Sequence, residues 1–132
     1  MDGGYLFSVV NPDDTIVQFG IRLTPTKAET WYIELLYTDA KLHTTSQILT
    51  TFEVPANGFL QFLFKVINNK ITFYQNCNEM DTVLVKRIPD ELIFQAGSTL
   101  YIAQAGSKLK GYFEVREFII FAFFFWRILI LN

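Results

Sequence analysis

Between positions 17 and 23 the chain places Val17, Phe19, Ile21 and Leu23 at every second residue, with Gln18, Gly20 and Arg22 between them. A period of two puts the apolar side chains on one face of a strand and the others on the opposite face. Arg22 is therefore expected to face solvent. The same kind of segment recurs along the chain. The run Tyr5-Leu6-Phe7-Ser8-Val9-Val10 is rich in strand formers and ends in Asn11-Pro12-Asp13-Asp14. Pro12 fixes φ there, and Asn or Asp side chains can bond nearby amides, so a turn is predicted, with a strand over 15–23 to follow.

Thr24-Pro25-Thr26-Lys27 interrupts the pattern, residues 31–37 restore it, and Thr38-Asp39-Ala40-Lys41 breaks it again. Further strands are predicted over 48–54, 59–67 and 70–75. Pro55-Ala56-Asn57-Gly58 separates the first two, and Asn68-Asn69 the second two. Asn tolerates positive φ, which suits the two-residue connection to a tight hairpin turn. Shorter apolar runs at 83–85, 92–94 and 99–103 are set apart by Pro89-Asp90, Gly97-Ser98 and Gly106-Ser107. No stretch holds a 3.6-residue period for three turns. The predicted fold is all-β, an antiparallel β-sandwich, because short strands at regular spacing fit two facing sheets better than a βαβ scheme.

Composition agrees. At 132 residues with 51% apolar side chains, the chain has material for one buried core. Fourteen Phe and six Tyr beside many Ile, Val and Thr favour pleated surfaces over helices. A formal net charge of −2, thinly spread, offers no field for nucleic acid or an anionic membrane. The amino terminus has no basic segment followed by a long apolar stretch, so no secretory signal is written in these residues, and taken literally the chain stays in the cytosol.

Five stretches, in order, resemble the amino-terminal domain of the type XV and XVIII (multiplexin) collagens. They are Gly4-Tyr5-Leu6-Phe7-Ser8-Val9-Val10; Val17-Gln18-Phe19-Gly20-Ile21-Arg22-Leu23; Leu36-Tyr37-Thr38-Asp39; Phe59 and Phe62 leading to Asn76-Cys77-Asn78-Glu79; and Leu100-Tyr101-Ile102-Ala103-Gln104-Ala105-Gly106 with Lys110-Gly111-Tyr112-Phe113-Glu114. Each alone is a strand and a turn; the order and spacing carry the resemblance. It implies a thrombospondin-N-terminal-like, laminin-G-like module with a jelly-roll sandwich. It further implies a secreted chain of the extracellular matrix near basement membranes, a trimeric parent collagen, and a role in adhesion and matrix assembly without catalysis. Expected partners are matrix proteins or sulfated glycans, with no cofactor.

The chain departs from that family in three places. Phe59 stands where the family has Trp, keeping an aromatic plug and losing the indole donor. Family members carry a signal peptide and first strands before the Gly3-Gly4 region, so the module, spanning 1–114, is expected to be cut at both ends. Beyond Glu114 the alternation stops: 12 of the last 15 residues are Phe, Ile, Leu or Asn. Val115-Arg116 can be encoded by GTA-AGA, a splice-donor sequence, and the tail 115–132 is read as translated intron. A buried strand ranks second and membrane contact third, because the apolar run 118–131 is shorter than the about 20 residues a spanning helix needs. In related modules the equivalent of Cys77 pairs with a cysteine beyond the final strand, so the resemblance implies that Cys77 is an orphan half of a disulfide.

Candidate chemistry is sparse. Lys65, Lys70, Lys86, Arg87, Lys108 and Lys110 are candidates for a sulfated-glycan surface, with Lys86-Arg87 and Lys108-x-Lys110 as the tight pairs. Asp13-Asp14, Asp90-Glu91 and Glu53 invite a search for paired glycosidase carboxylates, but acids beside prolines in turns are ordinarily solvated. Asp39, Asp81 and Asp90 offer oxygen ligands to a hard cation, which a calcium-dependent lectin-like domain would need; that is the alternative function. His43 and Cys77 have no neighbouring partner for a zinc site. No nucleophile and base pair, P-loop or dinucleotide fingerprint occurs, and the expectation is a protein that is not an enzyme.

Overall fold

A computed structural model describes residues 3–55, 61–86, 92–106 and the strand at 109–110. Among these residues ten strands follow in order: β1 (Gly4–Val10), β2 (Val17–Pro25), β3 (Thr30–Tyr37), β4 (Ile48–Pro55), β5 (Phe62–Ile67), β6 (Lys70–Gln75), β7 (Asn78–Leu84), β8 (Thr99–Ile102), β9 (Gln104–Ala105) and β10 (Leu109–Lys110). Every pairing is antiparallel. They form a five-stranded sheet in the order β4-β3-β2-β1-β8, a three-stranded sheet β5-β6-β7 and a two-stranded ribbon β10-β9. Among the described residues there is no helix. The all-β antiparallel expectation holds.

The two larger sheets face each other through aromatic rings. Phe7, Ile21, Ile33, Leu35, Phe52 and Val54 from the first and Ile71 and Phe73 from the second make one buried cluster. Phe52 stacks on Phe73 across the layers at 4.8 Å between ring centres, and Phe64 meets both at 5.8 and 5.2 Å. Offset and tilted rings at these separations add about 0.5–1.5 kcal/mol per pair beyond their area. The alternation read from the sequence is what supplies this face: Ile21, Leu35 and Phe7 come inward because Gly20, Leu36 and Ser8 go outward.

The outward face of the larger sheet is covered in part. Val10, Val17, Leu36 and Ala105 bury one another there, flanked by Tyr5 and Tyr101, so β9 lies over it. Ser8 Oγ donates to the Gln104 carbonyl at 2.8 Å. Gln18, fully buried, accepts from the Gln95 amide at 2.9 Å and donates to Ser98 Oγ at 2.5 Å. Buried polar groups need such partners, and these hold residues 95–104 against the sheet.

Several sequence expectations are corrected. Arg22 does not stand free in solvent: its Nε donates to Glu34 Oε2 at 2.6 Å, and its guanidinium carbon lies 5.9 Å from the Tyr5 ring centre. The parity was right, but that face is partly covered, so the guanidinium finds a carboxylate. The hydrogen bond to Glu34, opposed by burial, raises Arg22 above its ordinary value. The strand predicted from 15 begins at Val17, because Asn11 Oδ1 accepts from the amides of Thr15 at 2.9 Å and Ile16 at 2.7 Å and keeps both in the turn. It continues through Pro25, which pairs with Trp31 at the strand end. Residues 92–94 are not a strand; Phe94 packs on Phe19 and the Ile93 amide reaches the Tyr37 hydroxyl at 3.5 Å. The short run at 83–85 overlaps the end of β7 at Val83 and Leu84; four of the first five residues of β7 are polar, as suits a strand that pairs along one side with β6 and is otherwise largely exposed. Phe59, the Ala56-Asn57-Gly58 part of the turn, Pro89-Asp90-Glu91, Ser107 and the tail from 111 onward lie outside the described residues.

Candidate functional site

Cross-strand partners in an antiparallel sheet share a face, so register sorts the side chains of the smaller sheet. Val66, Ile71 and Val83 form one row and Phe64, Phe73 and Asp81 another, both turned toward the core cluster. The alternate rows face outward: Ile67, Lys70 and Leu84; Lys65, Thr72 and Thr82; Leu63, Tyr74 and Glu79. Alternation continues through Val85, packed against the core and held by its amide to the Asn69 carbonyl at 2.8 Å, to Lys86, which is exposed. Lys65, Lys70 and Lys86 thus come to one side from three segments. All three are exposed, and among the described residues none makes an ion pair.

Three large aliphatic side chains stand among these lysines. Leu84 is 75% exposed, Leu63 53% and Ile67 41%. Among the described residues Glu79 is the one acid on this face, and it is engaged locally: the Tyr74 hydroxyl donates to it at 3.3 Å and Thr82 Oγ1 at 3.2 Å. Partial desolvation, then the nearby Glu79 charge and its hydrogen bond, raise the Tyr74 phenol above its ordinary value.

Of the four residues expected to bind glycan, Lys86 lies at this face. Arg87 and Lys108 are outside the described residues. Lys110 belongs to β10, paired with Gln104 of β9, and β9 rests on the larger sheet. Lys86 and Lys110 therefore sit on different layers. Cys77, the chain's one cysteine, is exposed at the tip of the β6–β7 hairpin. Asn76 and Cys77 are its two connecting residues, with φ of 49° and 66°.

The acids serve mainly as turn and edge elements. Asp39 Oδ1 accepts from the Lys41 amide, and the His43 amide donates to the Asp39 carbonyl in the same turn. Asp14 has a φ of 56°, and its carboxylate lies where a side chain at Gly106 would have to go. Glu53 accepts from Thr30 Oγ1 at 2.6 Å, and Asp81 from the Thr82 amide at 2.7 Å. Glu53 and Asp81 also line one open cleft of about 270 Å³ at the edge between the sheets, with Thr51, Gln75 and Met80 around a floor of Phe52 and Phe73. Sequence spacing did not point to this pair; both border the cleft because β4 and β7 are the edge strands of their sheets. Among the described residues, no three His, Cys, Asp or Glu side chains gather in a group that could hold a metal ion.

Leu63, Ile67 and Leu84 escaped the sequence reading because an apolar residue in a strand is expected inside. One signal pointed to two of them: if Lys65 is outside, residues 63 and 67 of the same strand are outside too.

No family model matches the chain, and no solved structure matches it.

Proposed function

We propose that this chain is a non-catalytic interaction module of an extracellular matrix collagen, laminin-G-like with jelly-roll connectivity, recognising matrix proteins or sulfated glycans through its sheet faces. The observation that supports this reading is the sequence of motifs resembling the multiplexin collagens taken with the strands on which they fall: the first on β1, the second within β2, the third closing β3, the fourth at the β6–β7 hairpin and the last from β8 into β9. A spacing of motifs that tracks successive strands is what a shared sandwich would impose, although fold likeness by itself does not carry function. Secretion and a trimeric parent chain come with the same reading.

Retention on a heparin column tests the glycan part. The protein is expected to elute later than a Lys86→Gln, Arg87→Gln, Lys108→Gln, Lys110→Gln variant; equal elution removes sulfated glycans from the proposal. Sequencing the genomic region downstream of the reading frame tests the collagen part, with Gly-X-Y repeats as the expected result.

A lectin-like carbohydrate-binding domain, expected from the sequence to depend on calcium, is the second reading; the cleft with Glu53, Asp81, Thr51 and Gln75 beside Phe52 and Phe73 supports its sugar-binding part alone. Carboxylate and amide oxygens over ring faces suit a sugar. A glycan array run with and without chelator separates the two, since only the lectin loses its signal when calcium is withdrawn.

A further inference from the structure

We propose that the outer face of the β5-β6-β7 sheet docks onto an anionic phospholipid membrane surface. The proposal goes beyond the matrix reading and does not rest on it.

Two chemistries are interleaved on this face. Leu63, Ile67 and Leu84 project aliphatic side chains that are between 41% and 75% exposed. Lys65 and Lys70 alternate with them in register, and Lys86 follows Leu84 by two residues. A lysine stem lies along apolar surface while its ammonium reaches outward, so the three cations can sit at the phosphate level with the aliphatics just below it. Tyr74, in the row between Leu63 and Glu79, has the amphipathic ring favoured at such a boundary. Among the described residues the one acid on the face is Glu79, hydrogen-bonded by Tyr74 and Thr82, and three lysines against it make the charge of these residues positive although the chain as a whole carries −2. Among the described residues no helix is long and apolar enough to cross a membrane; contact here is with a surface.

Size and chemistry choose the occupant. Three strands about 4.8 Å apart and three outward rows about 6.7 Å apart span on the order of 300 Å². A stable protein partner, a second copy included, needs roughly 800 Å² from each side. A sulfated glycan matches the lysines but leaves three aliphatic side chains in water. A phosphate layer over hydrocarbon answers both and demands no shape complementarity.

The test is co-sedimentation of the full chain with phosphatidylcholine vesicles, with and without phosphatidylserine. The protein is expected to pellet with the phosphatidylserine vesicles and to be released by added salt. Each of Lys65→Gln, Lys70→Gln and Lys86→Gln is expected to weaken partitioning about fivefold. Leu84→Gln is expected to weaken it with every lysine intact, and Leu63→Gln gives the same readout should the first variant misfold. No pelleting with either vesicle overturns the proposal. Equal pelleting with both overturns it, as does a Leu84→Gln and Leu63→Gln pair that binds like the parent. Heparin retention without vesicle binding overturns it in favour of a glycan.

Discussion

Arg22 and Glu34 face each other across β2 and β3, and Thr24 Oγ1 donates to the same Glu34 oxygen at 2.8 Å. Replacing Glu34 by Gln removes the charge that both donors address while keeping the shape. The expected loss is about 1–2 kcal/mol, read as a lower urea midpoint, because a half-buried guanidinium is left without its counter-charge. Adding Arg22→Gln should cost less than the sum of the two, since the groups act as a pair. Gly20 illustrates the opposite kind of constraint. A Cβ there would sit 2.7 Å from the Phe7 carbonyl oxygen and 3.2 Å from Ser8 Cα, both backbone atoms of β1. Gly20→Ala is therefore expected to destabilise by about 1–3 kcal/mol through displacement of β1, measurable by thermal unfolding. The alternation around Arg22 was readable from the sequence; its pairing was not, because the residue opposite is fixed by register between two strands.

Hairpins set that register, and they were the most legible elements where turn chemistry was explicit. β6 spans 70–75 as predicted: Asn68 takes a φ of 52° on one side of it, and Asn76 and Cys77 form the connection on the other. The greater part of β7 is not legible in the sequence, since an edge strand reading Asn78-Glu79-Met80-Asp81-Thr82 has no apolar alternation to betray it. Residues 92–94 erred in the other direction, because local apolarity cannot distinguish a strand from a coil packed on Phe19 and Tyr37. The β6–β7 turn carries its own test. A left-handed conformation costs a non-glycine residue roughly 1–2 kcal/mol, and Asn-Gly is the preferred pair for a two-residue turn with both φ positive. Cys77→Gly is expected to raise stability by about 0.5 kcal/mol or more in reducing buffer, after allowance for the greater freedom glycine gives the unfolded chain. A fall in the urea midpoint would mean that the exposed thiol makes a contact worth more than the strain.

At the scale of the whole molecule, the larger sheet has five strands and the smaller three, and this inequality was invisible in a sequence that announced two facing layers. Strand count per sheet depends on which strands pair, and alternation says only which side of each is greasy. One consequence appears at β8. Its Ile102 and Leu100 pair with Phe7 and Val9 and so share the inward face that Phe7 contributes to the core. Yet Leu100 is 50% and Ile102 54% exposed, because β5, β6 and β7 meet the sheet through Phe52, Val54 and Ile33 at its other side. Side chains that bury half their surface contribute little to the core, while the other half remains available to solvent dyes and to other chains. Leu100→Thr with Ile102→Thr keeps β-branching or strand propensity and removes the apolar surface. The pair is expected to change the unfolding free energy by less than about 1 kcal/mol, and to lower both the fluorescence of a bound hydrophobic dye and the rate of aggregation at raised concentration. A loss of several kcal/mol would instead mean that this end of the sheet is covered in solution, and that the second layer extends over β8.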